Sequence, residues 1–527
     1  LRMLRKFSAC RRFLSSSSSS SSSYTASASP AQSSSTTSSG SSTPSHLDGP
    51  ELLLPRSGHF YLDPFTPADY AERRRLLFEE FTRRWSTDKQ FADFDRHILL
   101  VPSAQQQFMA HHVPYTMRQN SYFRYLTGHL GADAMLVLAC NGGPGVSDFD
   151  TARLLVHRQS ETERLWDGGE PTPVEAAQRA GLPDPANSGL YTEDEEAAKF
   201  LADQMTSAKG KLALWYNYKE PANGNLDRSL VLAAVKQRGP QAVANIEPVL
   251  DRVRWRKSAK ELAVMRRAAL IGSEAMNSAM RATKPDINEA AVWAVLDFEC
   301  RRLGADRLAY PPVIGGGQRS TVIHYMKNNR PVQPPDLILA DSGADVQGYV
   351  SDITRTWPAS PDGFTPHQLV AYEIVRQLLI DCRDHCRIGV SLDDVHLYMG
   401  QKLRARLIEA SMLTEAGASL SSHALCHALC PHHVSHYLGM DVHDTPSVSR
   451  SEPLQCGVVF PLEPGLYLSP DCQLVHQEFR GLGGVRLEDD FAIGDTGELE
   501  LLTGSAALDP ETVQRLAGDA ETYSASI

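Results

Sequence analysis

The sequence has no run of about 20 apolar residues, the length that a membrane-spanning helix requires. It has no excess of positive charge either: 52 Lys and Arg stand against 63 Asp and Glu, and the formal net charge is −11. Because nucleic-acid phosphates demand a basic surface, this balance argues against a nucleic-acid partner. The HExxH and GxSxG motifs are absent, and the glycines at 315–317 lack the strand–GxxxxGK–helix context of a phosphate-binding loop. Any catalytic chemistry must therefore rest on other residues.

Cysteine is scarce, with nine residues among 527, and the number is odd. Such usage favours reduced thiols over a disulfide framework. Two pairs, Cys382/Cys386 and Cys426/Cys430, have an i, i+4 spacing that would also suit zinc. Thiols of this kind more often behave as small apolar side chains, so we expect reduced cysteines in helices or in the core.

The first 47 residues contain no acidic side chain. They contain five basic residues and nine consecutive serines, Ser15 to Ser23. An Arg-rich, Ser-rich segment without a long apolar stretch is typical of an organelle transit peptide. We therefore predict a leader at residues 1–47 that directs the protein to the mitochondrion, with a plastid left open by the serine run. A disordered serine-rich tail without a targeting role has the same composition.

Strands and helices alternate in the first half of the chain, which predicts an α/β domain over residues 48–254. The predicted elements are helices at 71–81 and 193–205 and strands at 98–102, 134–140, 154–157 and 211–216. This half contains no convincing catalytic cluster, and we expect His111 and His112 on its surface.

The second half, residues 255–527, begins at a capping box formed by Ser258 and Glu261. Helices are predicted at 259–281, 286–304, 365–386 and 391–410, and strand regions at 313–325, 337–357, 434–440, 458–468 and 484–493. Two successive helix–helix–strands units indicate an internal duplication around a shared central sheet. A site between such halves would draw its ligands from both.

Two acidic residues, Asp341 and Asp352, lie eleven positions apart in a segment whose apolar alternation predicts strands. A hairpin centred between Val346 and Gln347 would place them opposite each other, with Cβ atoms about 5 Å apart. Two facing carboxylates repel each other and raise a pKa unless a cation lies between them. A bound metal would supply that cation. The alternative is that each Asp is a turn residue.

Four histidines lie within twelve residues: His432, His433, His436 and His443. On a regular strand the first and third would face one way and the other two would face the opposite way. Not every imidazole can therefore bind the same ion. One would be a ligand, while others orient a substrate or carry protons.

Two further acids stand in strand-like segments. Glu463 interrupts the apolar run 458–468, where an uncompensated carboxylate would cost several kcal/mol. Arg486 and Glu488 share one face of the next segment. The following Asp489 and Asp490 fit a solvated strand face.

The charges of these acids suggest the ions that they hold. Asp341, Asp352, Glu463 and Glu488 supply four negative charges, which two divalent cations balance, and His436 is the best candidate for one neutral imidazole ligand. Oxygen-rich ligands with one imidazole and no thiolate favour Mn²⁺, with Co²⁺ or Zn²⁺ as alternatives. A metal pair about 3.5–4 Å apart can activate water and polarise a carbonyl, as it does in aminopeptidases.

The same residues carry a family resemblance. The segments DSGADVQGYVSDITRTWP, HHVSHYLGMDVHD, LEPGLY and GVRLEDD resemble the pita-bread metallopeptidases, and Xaa-Pro aminopeptidase (aminopeptidase P) in particular. RQNSYFRYLTG, at 118–128, and LWDG, at 165–168, are similar to the N-terminal domain of that family. The resemblance extends from about residue 51 to residue 500. It implies an α/β fold in which a creatinase-like N-terminal domain precedes a pita-bread catalytic domain.

The resemblance also implies a role for each metal ligand. Asp341 would bind one ion through both oxygens. Asp352 and Glu488 would bridge the two ions. His436 and Glu463 would bind the other ion, and Glu463 would also accept the proton of the attacking water.

The remaining site residues would act on the substrate or support the ligands. His324 matches a histidine that positions substrate, and His432 and His443 match substrate-contacting histidines, the latter near the developing oxyanion. Arg486 matches an arginine that supports the metal ligands. At His433 relatives commonly carry glycine, which predicts a slightly different loop.

The implied activity is removal of the N-terminal residue from peptides or from imported proteins, as Xaa-Pro aminopeptidases or organellar intermediate-cleaving peptidases do. A prolidase, which hydrolyses Xaa-Pro dipeptides, would share the metal ligands. A pita-bread protein that has lost catalysis and serves as a binding module is the alternative from another class, although such proteins lose ligands that are all present here. A homodimer is left open.

Overall fold

Six strands form a mixed sheet in the N-terminal half of a computed structural model, which describes residues 64–87, 94–143, 145–192, 195–206, 211–217 and 243–518. The strands of this half, including a separate two-stranded hairpin of β2 and β3, are β1 (Arg96–Pro102), β2 (Phe108–Ala110), β3 (Val113–Pro114), β4 (Met135–Asn141), β5 (Thr151–Val156), β6 (Gly189–Tyr191), β7 (Leu212–Tyr216) and β8 (Val243–Ala244). The sheet order is β6-β5-β4-β1-β7-β8. The central strand β1 pairs antiparallel with β4 and parallel with β7. All four strands predicted for this half are confirmed.

Helices cover this sheet and lead to the second half. They are α1 (Pro67–Thr87), α2 (Ser121–Thr127), α3 (Glu161–Asp167), α4 (Pro173–Arg179), α5 (Pro185–Ser188), α6 (Glu195–Thr206) and α7 (Glu247–Trp255). The apolar face of α1 packs on the sheet, where the Phe81 ring meets that of Trp215 edge-on at 5.0 Å. Its outer face carries ion pairs such as Arg75–Glu72. His111 and His112 are exposed, as expected.

The second half contains longer helices. They are α8 (Ala259–Arg281), α9 (Glu289–Arg302), α10 (Pro366–His385), α11 (Leu392–Glu409), α12 (Glu415–Ser419), α13 (Ser422–Leu429) and α14 (Pro510–Ala517), with 3₁₀ turns at Gly317–Thr321 and Gln477–Phe479. The predicted capping box of Ser258 and Glu261 is present. The predicted start of α9 at Asp286 is wrong, because that residue has a left-handed φ of 66° and Asn288 caps the helix instead.

The strands of the second half are short. They are β9 (Arg307–Leu308), β10 (Val313–Gly316), β11 (Leu337–Ser342), β12 (Ala344–Val346), β13 (Tyr349–Val350), β14 (Ile353–Pro358), β15 (Val459–Leu462), β16 (Gly465–Leu468), β17 (Gly483–Arg486), β18 (Asp489–Ile493) and β19 (Leu499–Leu501). Within the described residues they pair as β10-β11-β14, β13-β12-β9, β15-β18-β19 and β16-β17. The predicted helix–helix–strands order therefore occurs twice, with several short sheets in place of one central sheet.

Apolar contacts join the two halves into one compact unit. One core cluster includes Phe123 of α2, Met276 of α8 and Trp357 of β14, so the N-terminal half and the second half share buried surface. A second cluster lies beneath α10 and α11 and includes Leu378 and Phe460. This shared core fixes the orientation of N-terminal side chains relative to the second half.

The cysteines agree with the expectation of reduced thiols. The eight that the structure describes are all free, and Cys382, Cys386, Cys426 and Cys430 are buried. Burial raises the pKa of the Cys426 thiol to about 11, so this group stays protonated near neutral pH.

Within the described ranges no helix is both long and apolar enough to cross a membrane. The leader predicted at residues 1–47 lies outside the described residues.

Candidate metal centre

The four acidic side chains of the predicted ligand set lie at or near interruptions of short antiparallel strands. Asp341 is in β11, and Asp352 lies between β13 and β14. Glu463 and Glu488 fill the gaps between β15 and β16 and between β17 and β18. Glu463 precedes Pro464, which has no N–H to donate to a ladder, so the strand ends there. The regular sheets therefore fix the backbone on both sides of three of the acids.

The hairpin that carries the two aspartates has a different register from the predicted one. Asp341 pairs with Thr354, and not with Asp352. The turn lies at Gln347 and Gly348, whose φ values of 52° and 84° are typical of a type I′ turn. The expected turn was one residue too early because Gln347 is not a typical residue for that conformation.

The two aspartates still come together, because residues 352 and 354 point to the same face of the hairpin. The Tyr310 hydroxyl lies 2.6 Å from Asp341 Oδ1 and also contacts Asp352 Oδ1. A single phenol thus touches both carboxylates.

His436 approaches these acids from the other side. Its Nε2 atom lies 3.4 Å from Asp352 Oδ2 and 3.9 Å from Glu463 Oε1. Asp352, His436 and Glu488 each offer a ligand atom, and the three atoms lie within 4.8 Å of one another. This spacing is suitable for a shared metal ion.

Arg486 and Thr354 connect the carboxylates of Asp341 and Glu488 through hydrogen bonds. Arg486 Nη2 donates to Asp341 Oδ2 at 2.6 Å, and its Nε donates to Thr354 Oγ1 at 3.0 Å. Thr354 Oγ1 in turn donates to Glu488 Oε2 at 2.6 Å. Arg486 Nη1 donates to the Tyr467 hydroxyl at 2.9 Å. The guanidinium therefore orients acids from both halves of the duplicated domain.

The carboxylates repel one another in a buried site. Burial raises the pKa of Glu463 to about 7, since the favourable charges of His436 and Arg486 only partly offset burial and the negative charges of Asp352 and Asp341. Burial likewise raises the pKa of Asp341 and, strongly, that of Glu488. Four acids with one arginine leave negative charge that divalent cations would balance. Oxygen ligands with one imidazole fit such ions.

The histidines do not lie on the predicted strand. Residues 432–444, here called the histidine loop, contain neither strand nor helix, so the strand expected at 434–440 is wrong. The loop folds back on itself: Asp444 N donates to Tyr437 O at 2.9 Å. Side-chain contacts with residues far away in the sequence, Arg118, Ser121 and Arg254, override the strand propensity of the segment.

This folding changes which histidines meet. The His443 ring packs edge-on against His436, with centroids 4.6 Å apart, although an ideal strand would have separated them. His432 Nδ1 lies 3.4 Å from Glu463 Oε2. His433 turns away and stacks on His396 at 4.4 Å, with its Nε2 3.4 Å from Asp393 Oδ1.

His324 is exposed. Burial lowers the pKa of His443, and the positive charges of His436 and His324 lower it further. The structure thus brings eight of the nine predicted site residues into contact around one centre, and His324 acts on His443 through its charge.

Several residues of the centre escaped the sequence analysis. Tyr310 has no local signal, whereas Thr354 and Tyr467 lie inside motifs that mark the site. Asp489 and Asp490 were expected on a solvated face, which is wrong, because both are buried. Asp489 Oδ1 accepts from Arg355 Nη2 at 2.6 Å, and Asp490 Oδ2 accepts from Asp352 N at 2.9 Å.

Comparison with known proteins agrees with this geometry. A family model described as Metallopeptidase family M24 matches residues 263–495, and one described as Aminopeptidase P, N-terminal domain, matches residues 70–209. Xaa-Pro aminopeptidase 3 of Mus musculus is 35% identical over 468 residues, which is 87% of each chain. The chain belongs to the Xaa-Pro aminopeptidases of metallopeptidase family M24.

Other relatives of this family agree. Intermediate cleaving peptidase 55, mitochondrial, of Arabidopsis thaliana is 31% identical over 80% of this chain and 79% of its own. The structure of Pseudomonas aeruginosa aminopeptidase PepP is 26% identical, with a TM-score of 0.72 over 87% of this chain and 99% of that one. This member of the family therefore has a pita-bread catalytic domain behind an N-terminal α/β domain, and it is a metal-dependent aminopeptidase.

Proposed function

We propose that this aminopeptidase uses two divalent ions, Mn²⁺ in the first place, to remove the N-terminal residue from peptides and from proteins imported into mitochondria. The ligands would be Asp341, Asp352, His436, Glu463 and Glu488. The observation that carries this proposal is the approach of Asp352, His436 and Glu488 ligand atoms to within 4.8 Å of one another, from three separate parts of the chain. Co²⁺ and Zn²⁺ suit the same donors.

The ligand roles are those that the resemblance to this family implies. Asp341 would hold one ion, Asp352 and Glu488 would contact both, and His436 and Glu463 would hold the second. When bound, such a pair activates a water molecule and polarises the carbonyl of the scissile bond.

The tautomer of His436 is set for this role. Its Nδ1 lies 3.1 Å from the Tyr437 carbonyl oxygen, which can only accept, so Nδ1 carries the proton. Nε2, which faces the carboxylate cluster, would then be the atom that binds a metal ion.

Glu463 is the proposed proton acceptor. A general base must lie within reach of the proton that it removes, and Glu463 lies inside the ligand cluster, with its Oε1 3.9 Å from His436 Nε2. His432 lies beside it and stays neutral, because burial and the charge of Arg486 lower the His432 pKa to about 3. Its Nδ1–H, which donates to His433 O at 3.0 Å, also faces Glu463.

His443 and His324 are both exposed, and the charge of His324 acts on His443. Imidazole N–H groups at these positions would donate to the substrate carbonyl as negative charge develops on its oxygen, and would hold the peptide against the metal ligands. Arg486 would keep Asp341 oriented through the 2.6 Å hydrogen bond.

Similarity to Xaa-Pro aminopeptidases and to intermediate cleaving peptidases supports both substrate classes. The acid-free, serine-rich segment 1–47 supports mitochondrial import. We place the N-terminal domain at 48–254 and the catalytic domain at 255–527, and we propose a homodimer as the assembly to test.

The full chain with added Mn²⁺ should be assayed against a peptide library that varies length and the second residue. Release of the first residue from peptides of three or more residues is expected. Cleavage confined to Xaa-Pro dipeptides would contradict the proposal and favour a prolidase. Comparing proline with other second residues would separate the two substrate classes.

A further inference from the structure

The histidine loop has few regular backbone contacts to hold it. His436 and His443 lie seven residues apart on it, and their rings touch. Three backbone bonds reach outside the loop, each at 2.9 Å: Glu463 N donates to Val434 O, Leu438 N donates to Val459 O, and Val350 N donates to Gly439 O. A loop without a ladder on either side depends on side chains for its position.

The N-terminal half supplies such side chains through Asp441. Ser121 Oγ donates to Asp441 Oδ1 at 2.7 Å, and Arg118 Nη1 donates to the same oxygen at 3.0 Å. Arg118 Nη2 also donates to Met440 O. Both donors belong to the RQNS segment at the start of α2, more than 300 residues away in sequence.

The connection between the halves holds the other end of the loop. Arg254, at the end of α7, donates to Asp441 Oδ2 at 2.8 Å and also to Asp444. Lys257 Nζ donates to Asp444 Oδ2 at 3.0 Å. The Arg254 and Asp444 side chains are 2% and 1% exposed, so water scarcely weakens this ion pair. Burial would raise the pKa of Asp441, but Arg254 and Arg118 lower it to about 2.

The loop adopts a conformation that needs such support. Thr445, directly after it, is fully buried with φ at 46°, which a β-branched residue rarely adopts. Gly439 packs so closely that a Cβ there would lie 2.4 Å from Asp444 Oδ2. Strained backbone persists only where surrounding contacts determine it.

We propose that Arg118 and Ser121 of the N-terminal domain are positioning residues of the metal centre. They hold Asp441, and through it they fix His436 and His443 in the places where ligand and substrate contact require them. The inference rests on the proposed roles of these two histidines. Neither Arg118 nor Ser121 touches a reacting atom. The N-terminal domain thereby contributes to the geometry of the catalytic site.

The test compares Ser121→Ala and Arg118→Met with Lys260→Met in the full-length protein. The control breaks another ion pair between the halves, Lys260 Nζ with Asp69 Oδ2 at 2.7 Å, which is about as exposed as the Arg118–Asp441 pair and lies outside the loop. Mn²⁺ affinity is measured by calorimetry on metal-free protein, and kcat and KM are measured separately. Because residues that orient metal ligands typically affect affinity or activity about 10–100-fold, we expect losses of that order for Arg118→Met and smaller ones for Ser121→Ala.

The kinetic pattern separates positioning from a purely structural role. KM should change less than kcat, and Arg118→Lys should restore part of kcat, because lysine keeps the charge but not the planar fork. A merely structural role would lower the unfolding temperature and leave Mn²⁺ affinity unchanged. If Arg118→Met fails to fold, Ser121→Ala, which removes one hydroxyl, decides the question.

The proposal is overturned if both variants match Lys260→Met within twofold in Mn²⁺ affinity and kcat. A wild-type protein that binds Mn²⁺ but releases no N-terminal residue would contradict the proposed function instead. In that case the affinity comparison still decides whether Arg118 and Ser121 position the loop.

Discussion

The carboxylates of the metal centre and its histidines are held in different ways. Asp352, Glu463 and Glu488 lie in short gaps between strands, so the strands on either side fix their backbone. His436 and His443 lie on a loop without strands or helices, anchored by Arg118, Ser121, Arg254 and Lys257 from elsewhere in the chain. Strand pairing fixes the carboxylates, whereas the loop depends on a partly buried ion-pair network between the two halves.

Asp352→Asn tests the carboxylates that the strands hold. The amide is isosteric but brings no negative charge, so we expect loss of at least one bound ion and a fall in kcat of at least about 1,000-fold. Metal content per chain and peptide hydrolysis are measured on the same sample. Asp297→Asn, on the partly exposed surface of α9, is the matched control. Full activity in Asp352→Asn would contradict its assignment as a ligand.

The position of the histidine loop can be tested without replacing any charged residue. In Gly439→Ala the added Cβ would lie 2.4 Å from Asp444 Oδ2 and 2.8 Å from Lys257 Cε, so the loop must shift. Overpacking of this kind typically costs about 1–3 kcal/mol, and a displaced His436 should lower kcat by about 10–100-fold.

The measurements are thermal unfolding and kcat, with Gly169→Ala as a control, since a Cβ at that position meets nothing within 4 Å. Neither Gly169 nor Gly439 has a positive φ, so neither substitution strains the backbone in that way. The control therefore separates the effect of an added methyl group from displacement of the loop. Equal kcat values in the two variants would argue that the histidine loop tolerates movement.

The same distinction determines how much the sequence could predict. Strand periodicity located the four acids, and the helices after Ser258 and Thr365 began where their capping boxes indicate. The turn of the aspartate hairpin was predicted one residue too early, which shifts the partner of Asp341 by two residues, because the turn uses Gln347 at positive φ. Local rules describe these elements well because the interactions that form them are local.

The histidine loop shows where such rules fail. Its alternation predicted a strand, but Asp441 and Asp444 bind cations that lie far away in sequence, and a single sequence contains no record of such pairing. Tyr310 was missed for the same reason, since only the fold brings its hydroxyl to Asp341. Asp490 was placed in solvent although it accepts the Asp352 amide.

A smaller effect concerns protons that compete with metal at the carboxylates. In metal-free protein burial raises the pKa of Glu463 to about 7, above its unfolded value near 4.5. The folded state then binds the proton more tightly, so this group stabilises the fold at low pH and the contribution is lost as pH rises through about 7. Bound cations replace the proton. Saturating Mn²⁺ should therefore raise the unfolding temperature more at pH 8 than at pH 5.5, measured by calorimetry; an equal rise at both pH values would contradict this linkage.

The smallest expected effect tests the turn that sets the hairpin register. Gln347 and Gly348 occupy the two left-handed positions of a type I′ turn, for which Asn-Gly is the preferred pair. Gln347→Asn should stabilise the protein by about 0.5 kcal/mol, because asparagine adopts positive φ at lower cost. Denaturant unfolding measures the change, and kcat should stay within twofold, since Asp341 keeps its pairing with Thr354. Gln347→Val is the opposing variant, because a β-branched residue resists positive φ and should destabilise the turn. If asparagine and valine have the same effect, the turn conformation does not control the stability of this hairpin, and the strand-held carboxylates depend on contacts outside it.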